Sequence, residues 1–90
     1  MTKIIRIELD VLKPHRPTIL DFARVVASLG DDYRVRLDVE EVDEKTETTK
    51  FIVEGESLDF DRIEQTIKEA GGTIHSIDAV EVIGGPESDQ

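Results

Sequence analysis

Four runs in which apolar and polar residues alternate, two stretches with apolar residues at helical spacing, and proline or glycine breakers between them predict an α+β fold of order β-α-β-β-α-β. Two β-α-β units joined through a short central connection have one strongly preferred closure. Right-handed crossovers place both helices on one face of a four-stranded antiparallel sheet ordered 4-1-3-2, the ferredoxin-like two-layer sandwich.

The first strand is KIIRIELDVLK at 3–13, where Ile5, Ile7, Leu9 and Val11 alternate with Arg6, Glu8 and Asp10. Pro14 and Pro17 end it, because neither supplies an N–H to a ladder. Pro17 and Thr18 suit a helix start, and Asp21 places an anion in the first turn, where the macrodipole favours it. Ile19, Phe22, Val26 and Leu29 form the buried stripe of that helix, and Gly30 stops it. Residues 33–42 alternate again through Val35, Leu37 and Val39, and the chain returns as TKFIVEG with Phe51 and Val53 on one face. The polar DEKTET between them predicts an antiparallel hairpin. Facing Leu37 with Val53 and Val39 with Phe51 needs an odd loop or a bulge near Glu40–Glu41, and the slip in alternation there favours the bulge. Ser57 or Asp59 caps a second helix with Phe60, Ile63, Ile67 and Ala70 buried, and Gly71–Gly72 ends it. TIHSIDAVEVI at 73–83 is the last strand.

Ninety residues suffice for one core, expected over 1–83, with 84–90 as a flexible acidic tail. A domain of this size has little room for an enclosed cavity, so a large site would have to lie between subunits. Cysteine is absent, which removes disulfides, thiolate metal sites and cysteine nucleophiles. No segment has the pattern of a signal peptide or the ~18 apolar residues of a membrane span, so a cytoplasmic protein is expected. The net charge of −10, from 21 acidic and 11 basic side chains, repels phosphate backbones and anionic membranes, so neither nucleic acid nor membrane is an expected partner. Beyond a well-solvated surface, such acidity fits a cation-binding surface or a high-salt cytoplasm.

The common activities of this scaffold each lack their residues. A soft-metal carrier needs Cys-x-x-Cys, and an RNA-recognition module needs aromatics on its central strands. An acylphosphatase-like enzyme is known to use an Arg–Asn pair, and this chain has no Asn. The serines Ser28, Ser57, Ser76 and Ser88 lie in no elbow or triad context, and neither glycine pair belongs to a phosphate loop. Adjacent carboxylates such as Asp31–Asp32 and Glu40–Glu41 are common by chance in so acidic a chain. No catalytic residue is therefore assigned.

Strand direction does bring one constellation together. The first strand ends where the fourth begins, so Lys13 and His15 share a pole with His75 across sixty residues of sequence. Lys13, His15 and His75 are the candidate ligand-binding residues, and Asp10, His15, His75 and Asp78 the candidate metal set, with a divalent cation as the possible cofactor. The bland alternative is an exposed loop histidine and a hydrogen-bonded strand histidine. A second feature is the sheet face away from the helices, expected to carry Ile4, Leu12, Ile52, Val42, Val80 and Val82. Six apolar residues there predict self-association through that face or an edge strand.

The segments IRIELDVLKPH, LDFDRIEQTI and GGTIHSIDAV resemble a small archaeal family known as domain of unknown function 211, over about residues 3–82. The resemblance implies a ferredoxin-like subunit assembled into a homo-oligomeric ring in an archaeal cytoplasm, and carries no established activity. Its LKPH and GGTIHSID segments contain His15 and His75. The sequence thus points to a non-enzymatic, homo-oligomeric binding or regulatory module that senses a small ligand or divalent cation. The alternative is a self-assembling protein without a ligand, and a small enzyme with an intersubunit site comes third.

Overall fold

A computed structural model describes residues 1–85 and has the order β1 (Thr2–Pro14), α1 (Ile19–Ala27), β2 (Arg34–Val42), β3 (Thr46–Glu54), α2 (Phe60–Glu69) and β4 (Thr73–Gly84). The four strands form one antiparallel sheet in the order β2-β3-β1-β4, the expected 4-1-3-2 arrangement read from the other edge. The expectation of a tail starting at 84 is corrected at its first residue, since Gly84 pairs with Thr2. Residues 86–90 lie outside the described residues.

Both helices are started and stopped by local chemistry. The Thr18 hydroxyl accepts from the Asp21 N–H, and the Asp59 carboxylate accepts from the Arg62 N–H, so Asp59 rather than Ser57 caps α2. Past the α2 C-cap at Ala70, Gly71 has φ +99°; its N–H bonds the Lys68 carbonyl at 3.0 Å and the Gly72 N–H bonds that of Ile67 at 2.9 Å. These paired bonds close the last turn in the way that favours glycine. Gly72 is needed for a second reason, because a Cβ there would lie 2.9 Å from Ile67 Cγ2 and 3.2 Å from Val11 Cγ1.

The inward positions of β1 and β3 meet the helices. Ile7, Leu9, Val11, Phe51 and Val53 pack with Phe22 and Val26 of α1, Ile63 and Ile67 of α2, and Leu58 of the preceding loop. Phe22 and Phe51 meet edge to face, their centroids 6.0 Å apart. At the far end, the α1–β2 turn holds the loop before α2: Asp32 accepts from the Glu56 N–H and the Tyr33 hydroxyl from the Asp59 N–H.

Register departs from expectation in two places. The hairpin bulge is found at Glu40, but Leu37 faces Phe51 and Val35 faces Val53, two residues from the expected pairing. The polar turn is shorter than DEKTET: β3 starts at Thr46, and the Asp43 N–H bonds the Thr46 carbonyl. The β1–β4 ladder has three shifts, which leave Ile5, Asp78 and His75 as unpaired extra residues. The shifts at His75 and Asp78 reverse the alternation between them, so Ser76 turns to the open face and Ile77 to Leu9, while Val80 faces Ile7 and Val82 faces Ile4 on the helix side. Ile4 packs against the core, and Val42 shares the helix-side register of Glu47. Of the six apolar residues expected on the open face, Leu12 and Ile52 remain.

The open face is instead a lattice of charge. Arg34, Glu54, Arg6 and Glu81 form one cross-strand row; Arg36, Ile52, Glu8 and Ala79 the next; Asp38, Lys50, Asp10 and Ser76 the third. Arg6 bonds Glu8 and Glu54, Arg36 bonds Asp38, and Lys50 bonds Asp78.

Phe51→Ala should lower unfolding free energy by about 3–5 kcal/mol in urea denaturation followed by circular dichroism, since it empties a site at the centre of the core. Leu20→Ala, on the exposed flank of α1, should change it by no more than about 0.5 kcal/mol.

Candidate functional site

Lys13 occupies the inward position that follows Ile7, Leu9 and Val11 along β1, and it is fully buried. Its ammonium lies 5.2 Å from the centroid of the Phe22 ring and donates to the Pro14 carbonyl at 2.7 Å and to Glu47 Oε1 at 3.2 Å. Glu47 is its cross-strand neighbour on β3, so the pairing register itself brings the opposite charges together. A buried ammonium without such a partner would be costly, and here the carboxylate, a carbonyl and an aromatic face replace water.

Glu47 has a second partner. Its Oε2 meets His15 Nδ1 at 3.0 Å, while His15 Nε2 lies 3.0 Å from the carbonyl oxygens of both Asp43 and Glu44. The imidazole therefore ties the β1–α1 loop to the turn between β2 and β3. All of its partners are acceptors, so the doubly protonated ring is satisfied best. The Glu47 hydrogen bond, helped by the Glu44 carbonyl, holds the His15 pKa above its ordinary value. In return the His15 hydrogen bond, with a further contribution from Lys13, holds the Glu47 carboxyl below the usual range.

The other candidates are arranged differently. His75 is exposed and stands at one of the β4 bulges, between Ile74 and Ser76. His15 engages the β3 flank of β1, and His75 lies on the β4 flank, with β1 between them. Asp78 accepts from Lys50 at 2.8 Å and from the Ser76 hydroxyl at 2.7 Å, and the Lys50 bond keeps its carboxyl below the ordinary value. Asp10 Oδ1 is shielded from solvent and has no hydrogen-bond partner among the described residues. Among those residues no group of three or more His, Asp or Glu side chains is placed to hold a metal ion. The structure thus joins Lys13 and His15 through Glu47, which sequence reasoning did not nominate, and places His75, Asp10 and Asp78 outside that group. Only the exact β1–β3 register identifies Glu47 as the residue opposite Lys13.

As chemistry, the Lys13–Glu47–His15 group is a latch. A metal needs a lone pair on the imidazole, and a general base needs a free ring nitrogen near its substrate; both nitrogens of His15 already face acceptors.

The family of uncharacterized archaeal proteins described as DUF211, uncharacterized ArCR, matches residues 5–87. The chain belongs to the DUF211 family. An uncharacterized protein of Methanocaldococcus jannaschii is 49% identical over 85 residues, which cover 94% of this chain and 86% of that protein. The expected family is therefore found, with the ferredoxin-like fold. No helix among the described residues of this DUF211 protein is long and apolar enough to cross a membrane.

The latch should stabilise the fold within a defined pH window. His15, with its pKa raised, contributes stability that is complete below about pH 6.5 and fades as pH climbs through the raised folded value. Glu47, with its pKa lowered, contributes above about pH 4.3 and loses that contribution as pH falls through the depressed value. Both act together between these limits. Thermal melts of His15→Gln should lose the fall in Tm that the wild type shows between about pH 6 and 8; an unchanged fall in the variant would remove His15 as its cause. Glu47→Ala should cost about 2–4 kcal/mol because it strands the buried ammonium, whereas Lys13→Met, which keeps an apolar stem on Phe22, should cost less. Urea denaturation of the two variants measures the difference.

Proposed function

We propose that this DUF211 protein is a non-enzymatic, homo-oligomeric binding module whose subunits join along β4. The observation that carries the reading is the edge itself. β4 is a twelve-residue outer strand with Ile77 and Val80 each 53% exposed and Val82 47% exposed, all on the helix side of the sheet. The cause is geometric. A helix of ten residues reaches about 15 Å, while a twelve-residue strand runs about 40 Å, so α2 cannot cover the strand it packs on. Beyond Glu54, the β1 residues Thr2–Ile4 have a strand partner only in β4. A two-stranded ribbon with unpaired edge groups and an uncovered apolar side is marginal alone and gains from a second copy.

The ligand reading follows from the same strand. His75 is exposed on β4, so it would fall at the boundary between subunits, where a small ligand or a divalent cation could bridge copies. A ligand selective for the folded assembly raises its melting point; a purely structural self-assembling protein would respond to none. The non-enzymatic reading draws support from the latch, where the histidine that contacts a carboxylate has neither ring nitrogen free.

Sedimentation of the full chain should give a mass that is a multiple of 10.1 kDa. Because each copy carries −10, association should tighten between 50 mM and 1 M KCl as repulsion is screened. Val80→Glu should dissociate the assembly while the circular dichroism spectrum stays folded. A mass of 10.1 kDa at every protein and salt concentration would overturn the proposal.

A further inference from the structure

The open sheet face gathers half of the chain's arginines at one corner. The chain carries six arginines, and three of them, Arg6, Arg34 and Arg36, line one shallow cavity of ≈ 270 Å³. The remaining lining is Val35, Ile52 and the single carboxylate of Glu54. Of the three arginines, Arg6 is also paired with Glu8 and Arg36 with Asp38, which leaves Arg34 as the guanidinium there without an ion pair among the described residues.

Register explains why Arg34 is left over. Glu54 on β3 stands between Arg6 on β1 and Arg34 on β2, so one carboxylate lies between two guanidinium groups. It bonds Arg6 at 3.3 Å, and Arg34 has no ion-pair partner among the described residues. In the next row Arg36 faces Ile52, where another carboxylate would have extended the alternation of charge. Arg36 instead turns to Asp38 on its own strand, two residues along. The result is an apolar floor at Ile52 with guanidinium groups from three strands around it. A second, more open groove continues past Arg34 and Glu54 to Lys3, which extends the basic rim.

We propose that this corner binds a small oxyanion, the phosphate or carboxylate group of a compact ligand. The unpaired Arg34 fork matches either group with paired, charge-assisted hydrogen bonds, Arg6 and Arg36 stand beside it while bonded to Glu8, Glu54 and Asp38, and rigid strands rather than loops carry all three. The size of the cavity lies at or below the lower end for drug-sized ligands, which restricts the occupant to something compact. The surrounding acids restrict it further. Asp38, Glu8 and Glu56 flank the basic corner, so an extended polyanion such as a nucleic acid would meet repulsion within a few ångströms of its first contact. A compact anion is repelled by the whole molecule only at range, and that repulsion is screened beyond about 8 Å at physiological ionic strength. The corner lies on β2, β3 and β1, so assembly along β4 would leave it open, and the site does not depend on that assembly.

The test is an NMR titration of the full chain with inorganic phosphate and, separately, citrate, each matched in ionic strength by a chloride control. Saturable shifts centred on the amides of Arg6, Arg34, Arg36 and Ile52 are expected for at least one of the two anions, and whichever saturates at lower concentration names the oxyanion class. Arg34→Gln and Arg36→Gln should each weaken that binding about tenfold, while Arg24→Gln on α1 should leave it unchanged. Shifts that are linear, that match the chloride control, or that survive Arg34→Gln and Arg36→Gln unweakened would overturn the proposal.

Discussion

The rest of the structure depends on β1 holding two neighbours at once. Its residues 6–14 pair with β3 without a break, while its pairing with β4 slips three times. The unbroken side fixes which β1 side chains face the helices, and so defines the core and the position of Lys13. The slipped side decides what β4 shows. Without the two extra residues in β4, Ile77 would fall on the charged face; with them it lies opposite Leu9 and joins Val80 and Val82, opposite Ile7 and Ile4, on the side that the helices only partly cover. One central strand thus produces an orderly interior toward β3 and an exposed apolar edge toward β4.

Much of this was legible in the sequence because period and breakers are local signals. The element order, the Thr18 and Asp59 caps, the glycine stop after Ala70 and the bulge at Glu40 all follow from residues within a turn or two of one another. What escaped depends on pairing at a distance. Alternation along β4 reads correctly as a strand, but the face of each residue depends on extra residues at Ile5, Asp78 and His75, none of which is marked by glycine or proline. The histidine pole was legible as a place, because strand directions put the end of β1 beside the start of β4, where Leu12 pairs with Thr73. It was not legible as a set of contacts, since His15 turns toward Glu47 and the Asp43–Glu44 carbonyls only once the hairpin register is set.

Buried charge at one end of the sheet has a structural logic. Had Lys13 been apolar, the β1–β3 pair would still have packed, but a two-residue slip of that pair would have offered another apolar contact. With Lys13 opposite Glu47, the same slip would leave an ammonium buried without its counter-charge. The latch therefore selects a register as well as joining loop to turn, and His15 extends the selection to the turn backbone. This accounts for why an inward, fully buried position accepts a lysine in so small a domain.

The same reasoning bears on where function can reside. Two helices of nine and ten residues cover the middle of strands that run to twelve and thirteen, and the molecule is drawn out to 52 × 23 × 17 Å. A cavity large enough to enclose a substrate would need depth, and a two-layer domain only 17 Å across its thinnest direction lacks it. Recognition at a surface has room in two places, along the uncovered edge of β4 and at the arginine corner of the open face. These lie at opposite edges of the sheet, so occupying one does not block the other. A chain built this way can assemble through one edge and still meet a ligand from solution at the other.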